Sequence, residues 1–296
     1  MRDTSLTEAV TRWYDQHARD LPWRAQGVSA WGVLVSEIML QQTQVNRVEP
    51  AWHQWMARWP TPAALAAEPV AEAIRAWGRL GYPRRAQRLH ACAVAIMDRH
   101  DGAVPASVDE LLALPGIGTY TARAVAAFAY RQRHPVVDTN VRRVVARVVE
   151  GVADRGSTTT ADLAMVEQLL PEDPERAARA SVAFMELGAL LCTARSPVCA
   201  NCPLWATCAW RRAGAPMPPG PSRRTQRYAG TDRQVRGLLL AVLREATTPV
   251  PRSKLDAVWA DEVQRARALA SILEDGLACE IDGHYALGAT PSRRDA

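Results

Sequence analysis

"LPGIGTYTARAV", residues 114–125, decides how the rest of the chain is read. Pro115, Gly116 and Gly118 make a tight turn, and a helix starts near Thr119. The N–H groups of Gly116 and Gly118 can point outward with the helix N-terminus behind them, a geometry that accepts a phosphate. Alone, the motif is a plain interhelical turn. Helical patterns on both sides, 107–113 and 119–131, turn it into a helix–turn–helix unit aimed at a polyanion.

Working outward, apolar residues recur at helical spacing almost without interruption to about residue 210. Helices are expected over 6–19, 29–41, 47–58, 69–77, 85–99, 107–113, 119–131, 140–150, 160–169 and 175–191. Pro and Gly clusters at 59–62, 78–83 and 101–105 separate them. A Pro/Gly/Arg linker, "AGAPMPPGPSRRTQRYAGT", occupies 213–231. The last 65 residues read as three helices, 233–246, 251–260 and 261–276, then a hairpin turning at Asp282-Gly283. That order is a winged-helix pattern. The fold class is therefore all-α with a small α+β tail.

The net charge of +5 is unevenly placed, with seven arginines and one acid, Asp232, in residues 211–236. A basic stretch between folded regions suits nucleic acid, although a solvated linker has the same composition. No apolar run is long enough to span a membrane. The N-terminal stretch lacks a signal-peptide core, so a cytoplasmic protein is expected.

Three further stretches carry chemistry. Cys192, Cys199, Cys202 and Cys208 fall within 17 residues, as one tetrahedral ion or one cluster would need. Spacing alone leaves zinc and iron–sulfur both open. Asp138 precedes the valine-rich helix of "PVVDTNVRRVVARVV", where an N-cap is the simplest role. In "VSEIMLQQTQV", 35–45, Glu37 shares a helical face with Val33, Leu34, Leu40 and Gln41, and the helix ends in amides.

Together with "LPW", "GRLGYPRRAQRLH" and "VVDTNVRRV", in this order, these motifs resemble the helix-hairpin-helix DNA glycosylases, specifically the MutY-type adenine glycosylases. The resemblance covers about residues 5–210. It implies a two-lobed fold with a C-terminal [4Fe-4S] loop on the four cysteines. The lobes would be an iron–sulfur domain from 1–22 and 133–210 and a six-helix domain, 23–132. The basic linker, 211–232, and the winged-helix-like domain, 233–289, would follow.

The resemblance also implies roles. Glu37 would be the acid that protonates departing adenine, and an apolar setting would help keep its carboxyl neutral. Asp138 would steady the cation left at C1′, with Asn140 and Tyr120 in support. Trp23 and Arg24 would line the base pocket. Gln41 and Gln42 would wedge into the stack vacated by the flipped base, with Tyr82 beside the opposing lesion. The partner would be duplex DNA with a mismatched or damaged pair, bound by a monomer near the nucleoid. Lysine-dependent strand cleavage is not expected, since Lys254 is the only lysine and Tyr120 stands where relatives carry the Schiff-base lysine. The tail is about half the size of the β-rich domain usual in the family, and Val182 stands where a polar residue usually helps hold adenine. A thymine glycosylase acting on T/G mismatches and a non-catalytic DNA-binding adaptor are the alternatives.

Overall fold

A computed structural model describes residues 4–154, 156–216 and 228–288. Linker arginines Arg223, Arg224 and Arg227 lie outside the described residues. The helices are α1 (Thr4–His17), α2 (Ala30–Leu40), α3 (Val45–Arg58), α4 (Pro62–Ala66), α5 (Val70–Trp77), α6 (Arg84–His100), α7 (Val108–Leu112) and α8 (Thr119–Tyr130). They continue as α9 (Thr139–Val145), α10 (Thr160–Leu169), α11 (Pro174–Leu190), α12 (Ala209–Arg212), α13 (Asp232–Glu245), α14 (Arg252–Asp256) and α15 (Glu262–Glu274). Strands β1 (Val250–Pro251), β2 (Ala278–Ile281) and β3 (His284–Leu287) complete the set.

The chain forms two compact units. The first contains Met1–Glu37, Pro105–Ala113 and Ile117–Pro221, so far as they are described. Its core is a valine-rich cluster in which Val141, Val144, Val145 and Val148 meet Val10 and Trp13 of α1 and Phe184 and Leu187 of α11. Helices α7 and α8 pack together as the helix-hairpin-helix. After α9 the helix widens into a π turn, Ala146–Glu150, before Gly151 (φ 76°) ends it.

The second unit contains Ile38–Val104, Leu114–Gly116 and the described part of Ser222–Ala296. Trp55 packs edge-on against Trp59 and Trp77, with ring centroids 4.6 and 5.6 Å apart, and all three are buried. Helix α4 falls where the sequence suggested only a break. Pro62 opens it rather than ending its neighbour, and the Thr61 hydroxyl caps it by accepting from the Ala64 N–H.

In the same unit, α13–α15 carry a three-stranded antiparallel sheet of order β1–β3–β2. Asp282 (φ 49°) and Gly283 (φ 75°) make the two-residue turn that sets the register Ile281↔His284. Strand β1 is too short to leave a pattern in the sequence and pairs Val250 with Tyr285. This segment packs on α5 and α6. Arg75 donates to the carbonyls of Arg244 and Ala246, and Gln87 to those of Asp275 and Gly276. Among the described residues, no helix is long and apolar enough to cross a membrane.

Candidate active site

Helix α2 is buried on every side from Trp31 to Met39, so Glu37 sits in a wholly covered helix rather than on one core-facing stripe. Only 6% of Glu37 is exposed. Burial pushes its carboxyl up from the ordinary value to about 7, and the negative charge of Asp138 acts the same way. A hydrogen bond from the Tyr120 hydroxyl and the positive charge of Arg24 pull it partly back. The Tyr120 phenol is itself held well above its ordinary range, first by burial and then by Glu37 and Asp138.

Asp138 is both the cap of α9 and a neighbour of this group. Its Oδ1 accepts from the N–H groups of Asn140 at 2.9 Å and Val141 at 2.7 Å, and its Oδ2 accepts from Asn140 Nδ2 at 2.8 Å. Burial raises its carboxyl, while these bonds and the charge of Arg143 hold the rise back. Arg143 extends the support, donating to Asn140 Oδ1 at 2.8 Å and to the Gly188 carbonyl at 2.8 Å. Gly188 lets α11 come this close, because a Cβ there would lie 2.7 Å from Asn140 Cβ and 2.8 Å from its carbonyl oxygen. Glu37, Tyr120, Asp138 and Asn140, chosen from the sequence as catalytic candidates, all belong to the first unit.

Trp23 is buried, and Arg24 ends a short 3-10 turn, Pro22–Arg24. What orients Arg24 is Glu186 on α11, a residue the sequence reading passed over. Glu186 is fully buried and accepts from Arg24 Nη1 at 3.0 Å, from Arg19 Nε and Nη2 at 2.8 Å each, and from the Arg19 N–H at 3.0 Å. Burial alone would raise its carboxyl; the Arg19 bonds and the Arg24 charge bring it down to about 2. Two glutamates in apolar helices thus end in different states at neutral pH, one about half protonated and one firmly ionised. The clue was available in "AFMELGAL", an acid in an apolar helix just as in "VSEIML". Val182 packs against the valine-rich core of the first unit.

The DNA-contact candidates Gln41, Gln42 and Tyr82 fall in the second unit. One buried side chain joins their two corners. Arg85 Nη1 donates to the carbonyls of Ile38, Met39 and Gln41 at 2.7–2.9 Å, and Nη2 donates to Thr43 Oγ1 at 2.9 Å and the Gly81 carbonyl at 3.1 Å. Arg85 thereby caps the end of α2 while bracing the turn that presents Tyr82. Gln42 (φ 56°) and Tyr82 (φ 48°) both adopt the left-handed backbone that side chains other than glycine seldom take. Gly116 (φ 78°) lies against Arg88, whose Cβ would be 2.7 Å from a Cβ at 116, so the turn requires glycine there. Gly118 caps α8 with a negative φ and open space around it, so its steric need is weaker.

Cys192, Cys199, Cys202 and Cys208 line one cavity of about 20 Å³ with Val144, Leu187 and Trp210. Among the described residues no group of His, Cys, Asp or Glu is gathered tightly enough to hold a single metal ion. Two buried arginines abut Cys192: Arg147 approaches its sulfur at 3.4 Å, and Arg143 donates to its carbonyl at 2.7 Å. Four thiols facing a shared cavity, with buried positive charge beside them, fit an anionic thiolate cluster.

The chain matches the HhH-GPD superfamily of base excision DNA repair proteins over residues 35–166. It is 62% identical over 277 residues to the adenine DNA glycosylase of Mycolicibacterium smegmatis, covering 93% of each chain. Two solved structures share the fold. One is a thermostable thymine-DNA glycosylase (TM-score 0.65, 24% identity, 71% of this chain and 96% of that one). The other is a trapped endonuclease III–DNA covalent intermediate (TM-score 0.61, 22% identity, 73% of this chain and 100% of that one). On this identity and coverage, the chain belongs to the adenine DNA glycosylase family within the HhH-GPD superfamily.

Proposed function

We propose that the protein is a monofunctional adenine DNA glycosylase of base excision repair. It hydrolyses the N-glycosidic bond of adenine paired with 8-oxoguanine or guanine in duplex DNA and leaves an abasic site. The observation that carries this reading is the buried pair of unequal carboxyls, Glu37 near neutrality and Asp138 anchored as a helix cap.

With its carboxyl at about 7, roughly half of Glu37 is protonated at neutral pH, against a few parts in a thousand for an ordinary glutamate. The protonated carboxyl gives its hydrogen to the adenine ring as the C1′–N9 bond breaks, so the purine leaves with the bonding electrons as a neutral molecule. C1′ becomes cationic. Asp138 is already oriented by three N–H donors and stabilises that charge without reorganising. Water adds to C1′, and its released proton restores Glu37. Arg24, tied to Glu186, supplies a fixed cation near the acid.

Cys192, Cys199, Cys202 and Cys208 would hold a [4Fe-4S] cluster. When bound, the cluster would supply a redox-capable inorganic core that ties the 192–208 loop into shape. Arg195, exposed on that loop, is a phosphate contact in this reading. The 233–288 segment, with three helices and a hairpin, acts as a winged-helix-like module. The protein works as a monomer on nucleoid DNA in the cytoplasm.

The test is a panel of duplexes carrying A·8-oxoG, A·G and T·G. Free adenine from the first two, with strand breaks only after alkali, is the expected result. Thymine release from T·G would replace this reading with a thymine glycosylase. Binding without base release, unaffected by Glu37→Gln, would replace it with an adaptor. A borohydride-trapped adduct would remove the monofunctional assignment.

A further inference from the structure

Tyr82 is the aromatic residue presented by the turn between α5 and α6. The residue is 44% exposed, and its backbone is left-handed. An exposed aromatic on a strained turn needs something to hold its orientation. Two guanidinium groups lie within cation–π reach. Arg85, buried, is 5.6 Å from the ring centroid, and Arg233 is nearer at 4.9 Å. Arg233 comes from the first turn of α13, about 150 residues away in sequence, and is exposed.

The segment that carries Arg233 is docked beside Tyr82 through Arg84–Asp275 at 3.2 Å and Gln87 to the Gly276 carbonyl at 2.7 Å, and Arg236–Asp275 at 2.6 Å ties α13 to the end of α15 within the segment. Gly81 lies directly under the arginine, and a Cβ there would be 3.9 Å from Arg233 Nη2. Arg79, Arg84 and Arg88 are exposed on the neighbouring turn and the start of α6. A positively charged surface with one aromatic face on it is the arrangement by which proteins stack on bases while tracking phosphates.

We propose that Arg233 is a DNA-contacting residue that works as a unit with Tyr82. Stacked on the ring, it keeps Tyr82 poised to enter the duplex, and its outward N–H groups take a backbone phosphate beside the base opposite the excised adenine. The C-terminal segment thereby supplies part of the surface that meets the lesion strand. This rests on the glycosylase reading above for the identity of the duplex.

A double-mutant cycle in the full chain tests it. Arg233→Ala, Tyr82→Ala and the double variant are made in a Glu37→Gln background, and dissociation constants are measured on an A·8-oxoG duplex across a salt series. Each single change is expected to weaken binding about tenfold, and the double variant no more than about twofold beyond the worse single one. Arg233→Ala should also reduce the slope of log affinity against log salt by about one. Thermal midpoints of the variants, read alongside, exclude loss of folding as the cause. Wild-type affinity in Arg233→Ala, or two single effects that simply multiply, would overturn the proposal. Binding is read without turnover, so an enzyme that binds with this coupling yet releases no adenine would fail only the glycosylase reading.

Discussion

Arg24 reaches Glu186 at 3.0 Å, and the same guanidinium charge pulls on the Glu37 carboxyl. Removing the Glu186 charge leaves Arg24 uncompensated, which favours the Glu37 carboxylate. In Glu186→Gln, adenine release should therefore decline at a pH about one unit lower than in wild type. The variant should also lose roughly 3 kcal/mol of stability, since it leaves two arginines without their buried partner. Glu186→Asp should restore part of both. Single-turnover rates across a pH series and a denaturant titration measure the two effects.

For the wild-type protein, the same argument sets the shape of the pH profile. In the proposed mechanism Glu37 acts in its protonated form, so the rate should fall as pH rises through about 7. In the same mechanism Asp138 acts ionised, and burial raises its carboxyl, so the acid limb should lie above the ordinary aspartate range. A profile still rising from pH 7 to 9 would contradict the assignment of Glu37 as the acid.

Glu37 also makes a prediction about stability, with a sign opposite to that of most carboxylates. Its folded value, about 7, lies above its ordinary one of 4.5, so between these limits the folded protein holds a proton that the unfolded chain has released. Stability drains away as pH rises through that window, by about 3 kcal/mol in total. Glu37→Gln should abolish adenine release, by at least about a thousandfold. It should also raise the melting temperature at pH 8 more than at pH 5. Calorimetry at the two pH values checks this, and an equal shift at both would sink it.

Gly188→Ala tests the close approach of α11 to the Asp138 cap of α9. The added methyl would meet the Asn140 backbone, which cannot swing aside as a side chain could. A loss of about 1–3 kcal/mol is expected from overpacking. Adenine release should fall further than stability does, because the displaced turn orients Asp138. Chemical denaturation and single-turnover assays on the same sample separate the two.

Cys199→Ser addresses the proposed cluster. Iron content and visible absorbance should drop, and folding or DNA affinity should fail before the chemical step does. Full activity in a colourless, iron-free protein would exclude the proposed role.

Most of the helical framework was legible in the sequence because proline and glycine mark its breaks and the intervening segments keep a 3.6-residue period. The limits of α10 were read to the residue, and those of α6 and α8 to within one. Helix α4 was missed because Pro62 can end one helix or open another, and only Thr61 capping Ala64 distinguishes the two. Asp138 could be recognised as a cap from its position, but not that the capped turn also sits beside Glu37. Glu186 escaped notice because an acid in an apolar helix looks the same whether it is paired with arginines or left protonated. Contacts such as Arg233 over Tyr82 leave no local signature, since nothing in either short stretch names its partner across 150 residues.

Arg85 holds both the end of α2 and the turn bearing Tyr82 with one side chain. The two corners therefore behave as jaws on a common pin. A push that opens one is transmitted to the other within the width of a guanidinium group. In the proposed mechanism, prying a base from the helix and probing its former partner would become a single mechanical act, and loosening that pin should uncouple them while leaving each contact chemically intact.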